Sequence, residues 1–435
     1  MAKYDWATFG LRIPEIMVPA EGTDYSKWAV IACDQFTSEP EYWDDVKNIV
    51  GDAPSTLNLM LPELYLGKPE EESMIENIRT KMKEYLDNGI LRKLPAGCML
   101  VKRTVGGVDR LGLVIATDLE DYDYSQNSQS LTRATERTVV ERIPPRLRIR
   151  EGAPIEMPHI MILIDDPEKT VIEPLAKIAG ETIYDTDLMK DGGHVTGTFL
   201  PEKELDGMKD ALSALFDKAV EKYGEGHVIF QAMGDGNHSL ATAKANWENV
   251  KKTLSPEEQK NHPARFALCE IENIHDPSID FEPIHRVIFA KKNQSGMDLV
   301  NETVELLASQ NGKTYLADDA SAAPAGAFTI PYLTDEKKGV IVIEDPKQKL
   351  EVGVLQTALD VMVKEREDCD IDYIHGDAAV DSLSARSGNA GFKLPAMDKS
   401  MLFPAVAADG ALPRKTFSIG EANEKRYYIE SRYIG

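Results

Sequence analysis

Apolar and polar positions alternate along this chain in two periods, and the switches between them outline its elements. The run His227 to Met233 has the length of a buried strand. Gly234-Asp-Gly-Asn then supplies turn chemistry, and Leu240 to Trp247 is alanine-rich with helical spacing, so the stretch predicts strand, tight loop and helix. Lys27 to Asp34 predicts a buried strand ending at a polar pair, and from Thr37 an amphipathic helix presents Trp43, Val46 and Val50. A helix over 70–88 precedes strands at Cys98–Thr104 and Asp109–Thr117, which Gly106-Gly107 joins as a hairpin. Further strands are expected at Met161–Ile164, around a turn at Lys190–His194, at Phe266–Ile271 and Val287–Phe289 flanking FEPIHRV, and at 371–375. Helices are expected at 351–366 and 377–386, and Ala317–Gly326 reads as a surface connector. This alternation without an internal repeat predicts an α/β or α+β fold of mixed sheets with flanking helices, as an N-terminal α/β region (1–255) and a C-terminal α+β region (256–435).

Composition narrows the partners. The chain has 435 residues, 42% of them apolar, enough for a large core. A net charge of −24 argues against nucleic acid or an anionic membrane as a bulk partner, since both need a broad basic face. No stretch approaches the ~18 consecutive apolar residues of a spanning helix. Cys33, Cys98, Cys269 and Cys369 lack metal-type spacing and are expected to be free thiols in a reducing compartment, with the cytoplasm as the expected location. GxxxxGK[ST], strand-linked GxGxxG, HExxH and GxSxG are all absent from the sequence, which removes the main support for common nucleotide-binding, zinc-protease and hydrolase classes.

The candidate chemistry sits in the central loop. Gly234 and Gly236 let backbone approach a ligand, and the N–H groups from Gly236 to Ser239 would point out of the helix start toward an anion. Asp235 would repel a phosphate there unless Mg²⁺ bridges the two or the carboxylate takes a proton from an attacking hydroxyl. The plainer reading makes Asp235 or Asn237 a cap and His238 a polar first-turn residue. One basic island stands out: Arg133, Arg137, Arg142, Arg146, Arg148 and Arg150 against Glu136 and Glu141. Arg133 and Arg137 would lie one helical turn apart, and Arg146, Arg148 and Arg150 would share a face if extended. Arginine forks suit phosphate or carboxylate, although most of the six are expected to pair with surface acids. Asp34 at a strand exit, His194 in a hairpin turn, the pair His285 and Arg286, and Lys415 with Thr416 complete the candidates; for His194 an incidental turn position is the better reading.

Five ordered segments carry a resemblance over essentially the whole chain: AVIACDQF ending at Asp34, ATERTVVERIPPRLRIR with Glu136, Arg137, Thr138 and the arginines from Arg146, MGDGNHSLATA, EPIHRV and LPRKTFS. Together they resemble the bacterial family known as domain of unknown function 1015. Asn237 stands where the family commonly has His, and Ser239 where it commonly has Arg. The loop is also similar to the phosphate-binding turn of the ParB/sulfiredoxin-like fold, which includes free-serine kinases. That likeness implies a ParB/sulfiredoxin-like core, with Asp235 and His238 at the phosphates or acting as base and Asp34 positioning a hydroxyl. The resulting expectation is a small-molecule phosphotransferase, of the amino-acid (serine-like) hydroxyl kinase type, using ADP or ATP and Mg. Asp235, His238 and Asp34 would be catalytic; Gly234, Gly236, Asn237, Ser239, Arg137, Arg146, His285, Arg286, Lys415 and Thr416 would bind phosphate or substrate; Asp235 would hold the metal. The alternatives are a non-catalytic phosphometabolite- or nucleotide-binding regulator and an acidic scaffold for a basic partner. The first needs no base, and the second would release its partner at high salt.

Overall fold

A computed structural model describes residues 3–290, 294–366 and 368–435. The chain forms two compact units, Met1–Ile279 with Gly420–Gly435, and Asp280–Ile419. Residues 256–279, grouped by the sequence pattern with the C-terminal region, carry the strand Phe266–Asn273 into the middle of the first unit's sheet. The fold is mixed α/β.

The first unit is built on an eleven-stranded sheet whose main path runs Glu181–Asp187, His194–Pro201, Leu91–Val105, Val108–Asp118, Phe266–Asn273, Met161–Ile164, Gln231–Asp235, Thr132–Arg133 and Tyr122–Asp123. Its centre is buried on both faces, and the period of two shows directly in the packing. Met99, Val101, Val114 and Leu268 enter one apolar cluster, while Cys98, Leu100, Leu113, Ile115, Ala267 and Cys269 enter the other. The Gly106-Gly107 hairpin forms as its sequence predicts, with Val105 paired to Val108 and both glycines at positive φ. The predicted amphipathic helix is Pro40–Val50, burying Tyr42, Trp43, Val46 and Val50. All four cysteines are free thiols.

Four local expectations are corrected. Lys27 and Trp28 belong to a short helix, Tyr25–Trp28, because the Asp24 carboxylate accepts from Ser26 N at 3.0 Å and starts a turn; the strand is only Val30–Ile31. Arg146, Arg148 and Arg150 lie on the helix Ile143–Arg150 rather than on an extended segment. Pro144 and Pro145 stand in its first turn, where the missing N–H groups cost nothing and φ is already helical. Arg133 is in the strand Thr132–Arg133, its guanidinium donating to the carbonyls of Ser130, His227 and Val228, so it shares no helix with Arg137. The apolar run before the central loop becomes a strand only at Gln231.

The second unit has a seven-stranded sheet whose main path is Thr314–Ala317, Lys338–Ile343, Phe328–Leu333, Asn389–Phe392, Phe281–Ala290 and Cys369–His375. FEPIHRV therefore lies inside a strand rather than between two. Pro283 is tolerated because that end pairs with Phe417–Ile419, and pairing to Cys369–His375 begins only at Ile284. The helices Glu351–Glu365 and Asp377–Ser384 follow their predicted spans closely. No helix among the described residues is long and apolar enough to cross a membrane.

Candidate functional site

The strand Gln231–Asp235 runs antiparallel to Met161–Ile164, and its register slips between Met233 and Asp235, at Gly234. Gly236 then turns the chain at φ +78° into the helix Asn237–Val250. A Cβ at Gly236 would stand 3.1 Å from Ile160 Cα, so sterics as well as φ require glycine here. The helix is anchored by Leu240, Ala243 and Trp247 in the apolar cluster.

No side chain caps this helix. The N–H groups of Ser239 and Leu240 close on the Gly236 carbonyl, whereas those of Asn237 and His238 find no acceptor among the described residues. Two side-chain atoms nearby are buried and unpartnered, Asn237 Oδ1 and Thr138 Oγ1. Asp235 has a partner on each oxygen: Oδ1 accepts from Gly236 N at 2.8 Å and Oδ2 pairs with Lys425 Nζ at 3.1 Å. Burial alone would raise the Asp235 pKa, but the Lys425 ammonium and the Gly236 N–H outweigh it and hold the carboxyl below its usual range. Each oxygen thus has one partner, and no cluster of three metal-ligating side chains stands among the described residues.

His238 is a neutral imidazole whose Nε2 accepts from Val139 N at 3.3 Å. Burial is the main cause of its displacement to a pKa of about 4; the Arg146 and Arg142 guanidinium groups add to it, and the Asp34 carboxylate acts in the opposite sense. His238, Asp34, Arg142 and Arg146 thus occupy one electrostatic neighbourhood. Arg146 is held there by a two-pronged pair with Glu63 (2.7 and 2.5 Å) and by the Arg142 carbonyl at 2.8 Å.

At the next residue of the helix, Ser239 Oγ lies 2.6 Å from His159 Nε2, and His159 Nδ1 lies 2.7 Å from the Tyr428 hydroxyl, whose oxygen accepts from Cys33 N at 3.3 Å. Burial keeps the Tyr428 phenol protonated. Ser239, His159, Tyr428, Cys33 and Arg146 line a cavity of about 140 Å³ whose remaining wall is largely apolar, including Leu61 and Met82.

The loop residues Gly234, Asp235, Gly236, Asn237, His238 and Ser239 lie in the first unit with Asp34 and Arg146, whose charges both act on His238. Arg137 is exposed and makes no ion pair among the described residues. Two further arginines of the island behave as structural ions: Arg148 pairs with Glu71 and Arg150 with Glu156. His194 bridges Asp185 and Asp187 across its hairpin at 2.6 and 2.7 Å. His285, Arg286, Lys415 and Thr416 lie in the second unit. His285 accepts from Leu394 N at 3.1 Å and faces Asp377, also at 3.1 Å. Arg286 is fully buried and donates to Gln356 Oε1 at 2.9 Å; Thr416 is buried and donates to the Pro413 carbonyl at 2.6 Å; Lys415 holds a turn at φ +59°. His159, Tyr428 and Lys425 escape sequence reasoning, because no local pattern marks them and their roles depend on partners 80 to 269 residues away.

The family model described as "Protein of unknown function (DUF1015)" matches residues 17–362. A search of curated proteins finds no match. Among solved structures, a mutant free serine kinase in complex with ADP is 12% identical with a TM-score of 0.40, covering 73% of this chain and 91% of that one. A free serine kinase in complex with AMP is likewise 12% identical, with a TM-score of 0.39 and coverages of 73% and 90%. SbnI with C-terminal truncation from Staphylococcus aureus is 10% identical, with a TM-score of 0.36 and coverages of 71% and 82%.

Proposed function

The chain belongs to the DUF1015 family, and we propose that its first unit is a small-molecule phosphotransferase of the hydroxyl-kinase type, taking its phosphoryl group from ATP at the Gly236–Ser239 loop. The observation that carries this reading is a set of open donors at one place: the N–H groups of Asn237 and His238, beside the buried and unpartnered Thr138 hydroxyl. Buried polar atoms are ordinarily paired, and donors at a helix start are suited to phosphate oxygens. Arg142 and Arg146 set a positive local field, strong enough to help keep His238 neutral. Because both Asp235 oxygens are engaged, we assign Asp235 to holding the loop through Lys425, and Asp34 to accepting the proton of the acceptor hydroxyl. No step is routed through a metal at Asp235.

The test is ATP-dependent phosphorylation of free hydroxy amino acids, followed by phosphorus NMR, with nucleotide binding measured by calorimetry. Asp34→Asn is expected to bind nucleotide normally and to lose about a hundredfold or more in turnover, the usual contribution of a positioned base. A loss below about tenfold removes Asp34 from that role. The engaged state of Asp235 also favours a second reading, a regulator that binds a phosphometabolite without chemistry; nucleotide binding with no turnover for any hydroxyl acceptor would establish it.

A further inference from the structure

The phosphotransferase reading leaves unused the chain of hydrogen bonds next to the anion loop. Ser239 Oγ is 2.6 Å from His159 Nε2, and His159 Nδ1 is 2.7 Å from the Tyr428 oxygen. A hydroxyl bonded to an imidazole that is itself fixed by a third group is the arrangement of an activated nucleophile. Activation of Ser239 requires the tautomer of His159 that carries its proton on Nδ1. The Tyr428 oxygen accepts from Cys33 N at 3.3 Å, and in that tautomer it accepts from His159 Nδ1–H as well. With His159 Nδ1–H donating to that same oxygen, the Nε2 lone pair is left to accept from the Ser239 hydroxyl. Ser239 is the third residue of the helix, directly after the open N–H groups of Asn237 and His238, and its side chain lines the cavity of about 140 Å³. An anion held by those donors would therefore lie beside a hydroxyl that has a base behind it.

We propose that Ser239 is a covalent nucleophile, with His159 as its general base and Tyr428 as the residue that positions His159, and that it takes up the phosphoryl group in a double displacement. The covalent step rests on the phosphotransferase reading; the nucleophile itself does not. In the first half, the Ser239 Oγ–P bond forms as the bond from the terminal phosphorus to the bridging oxygen of ATP breaks. The Ser239 proton passes to His159 Nε2, and ADP leaves. In the second half, an acceptor hydroxyl attacks phosphorus and gives its proton to Asp34. The Oγ–P bond breaks, and His159 returns its proton to Ser239. The apolar wall of Leu61 and Met82 gives the cavity room for a small apolar group on the acceptor, since a site of ~150 Å³ holds a molecule the size of benzene.

Two measurements on the full chain test this. The first is labelling with diisopropyl fluorophosphate, read by intact mass and peptide mapping; it needs no nucleotide. A single adduct on Ser239 is expected, absent in Ser239→Ala and formed about a hundredfold more slowly in His159→Gln, with melting temperatures confirming that the variants fold. Tyr428→Phe, which keeps the ring but removes the oxygen, is expected to displace the pH profile of labelling, a change that a purely structural role would not produce. The second is incubation with ATP, which should add one phosphoryl group, about 80 Da, at Ser239. Failure of Ser239 to label overturns the proposal, as does labelling at the same rate in His159→Gln. A protein that labels at Ser239 and binds ATP by calorimetry, yet forms no phosphoserine, transfers directly; the covalent step then falls while the phosphotransferase reading stands. Labelling at Ser239 without nucleotide binding has the opposite meaning: the nucleophile stands and the phosphotransferase reading falls.

Discussion

The neutral state of His238 has a measurable cost in acid. The ring is forced from an ordinary value of 6.5 to a pKa of about 4, first by burial and then by Arg146 and Arg142. When a base is harder to protonate in the folded state, the unfolded chain binds the extra proton between these two values. Its contribution is therefore intact above about pH 6.5, declines as the pH falls from there to about 4, and levels off below. At about 1.36 kcal/mol per pH unit the displacement corresponds to about 3.4 kcal/mol. The imidazole is only half-buried, and solvent screening reduces the expected loss to about 2 kcal/mol. His238→Gln removes the titration while retaining an acceptor for Val139 N. Urea unfolding of the first unit, followed by its tryptophans, should show wild type losing about 2 kcal/mol more than His238→Gln between pH 7.5 and 4.5. NMR of the imidazole should place its midpoint near pH 4. Parallel stability profiles, or a midpoint above pH 6, would refute the electrostatic neighbourhood of His238, Asp34, Arg142 and Arg146, and with it the positive field assigned to the anion loop.

Lys425→Met leaves Asp235 without its ammonium and is expected to cost about 3 kcal/mol, part of which Asp235→Asn in the same chain should restore in chemical denaturation. The folded pKa of Asp235 is depressed, so its contribution is present above about pH 4 and fades as the pH falls through the folded value; Lys425→Met should flatten that acid limb. Gly236→Ala places a side chain at φ +78° and against Ile160 Cα; about 2 kcal/mol of lost stability is expected, read as a lower melting temperature. The thiols of Cys98 and Cys269 are fully buried and pushed upward in pKa, Cys269 to about 12. Both should resist a disulfide reagent at pH 8 until the chain unfolds, and early reaction of either would contradict the packing around it.

Much of this architecture is legible in local pattern. The hairpin at Gly106-Gly107, the helix that buries Trp43, Val46 and Val50, and the strand–loop–helix ending in Trp247 all follow from short-range periodicity and turn chemistry, because there burial and propensity agree. Local reading fails where a neighbour in sequence decides against the pattern, as Asp24 does by capping Tyr25–Trp28 and the two prolines do by starting Ile143–Arg150. The glycine turn into the helix start at Asn237 is legible, and Asp34 and Arg146 stand out as charges. The identity of each partner is not legible. Lys425 for Asp235 and Tyr428 for His159 are contacts of long sequence separation, for which neither period nor composition carries a signal. Residues 420–435 return to the first unit after 140 residues of the second, and no turn or linker composition announces it.

That return fixes an order of assembly. Tyr427–Tyr428 pairs with Val30–Ile31, Arg432–Tyr433 pairs with Ile155–Glu156, and the Ile429 carbonyl accepts from the Trp28 indole 401 residues upstream. On the ribosome the first unit's strands emerge early, yet their closing segment emerges only after Asp280–Ile419 has been made. A chain that stops within that stretch carries the whole Gly234–Ser239 loop but has neither Lys425 for Asp235 nor Tyr428 for His159. Truncated or stalled products lack both contacts, and synthesis through residue 428 becomes a condition for completing the surroundings of this loop.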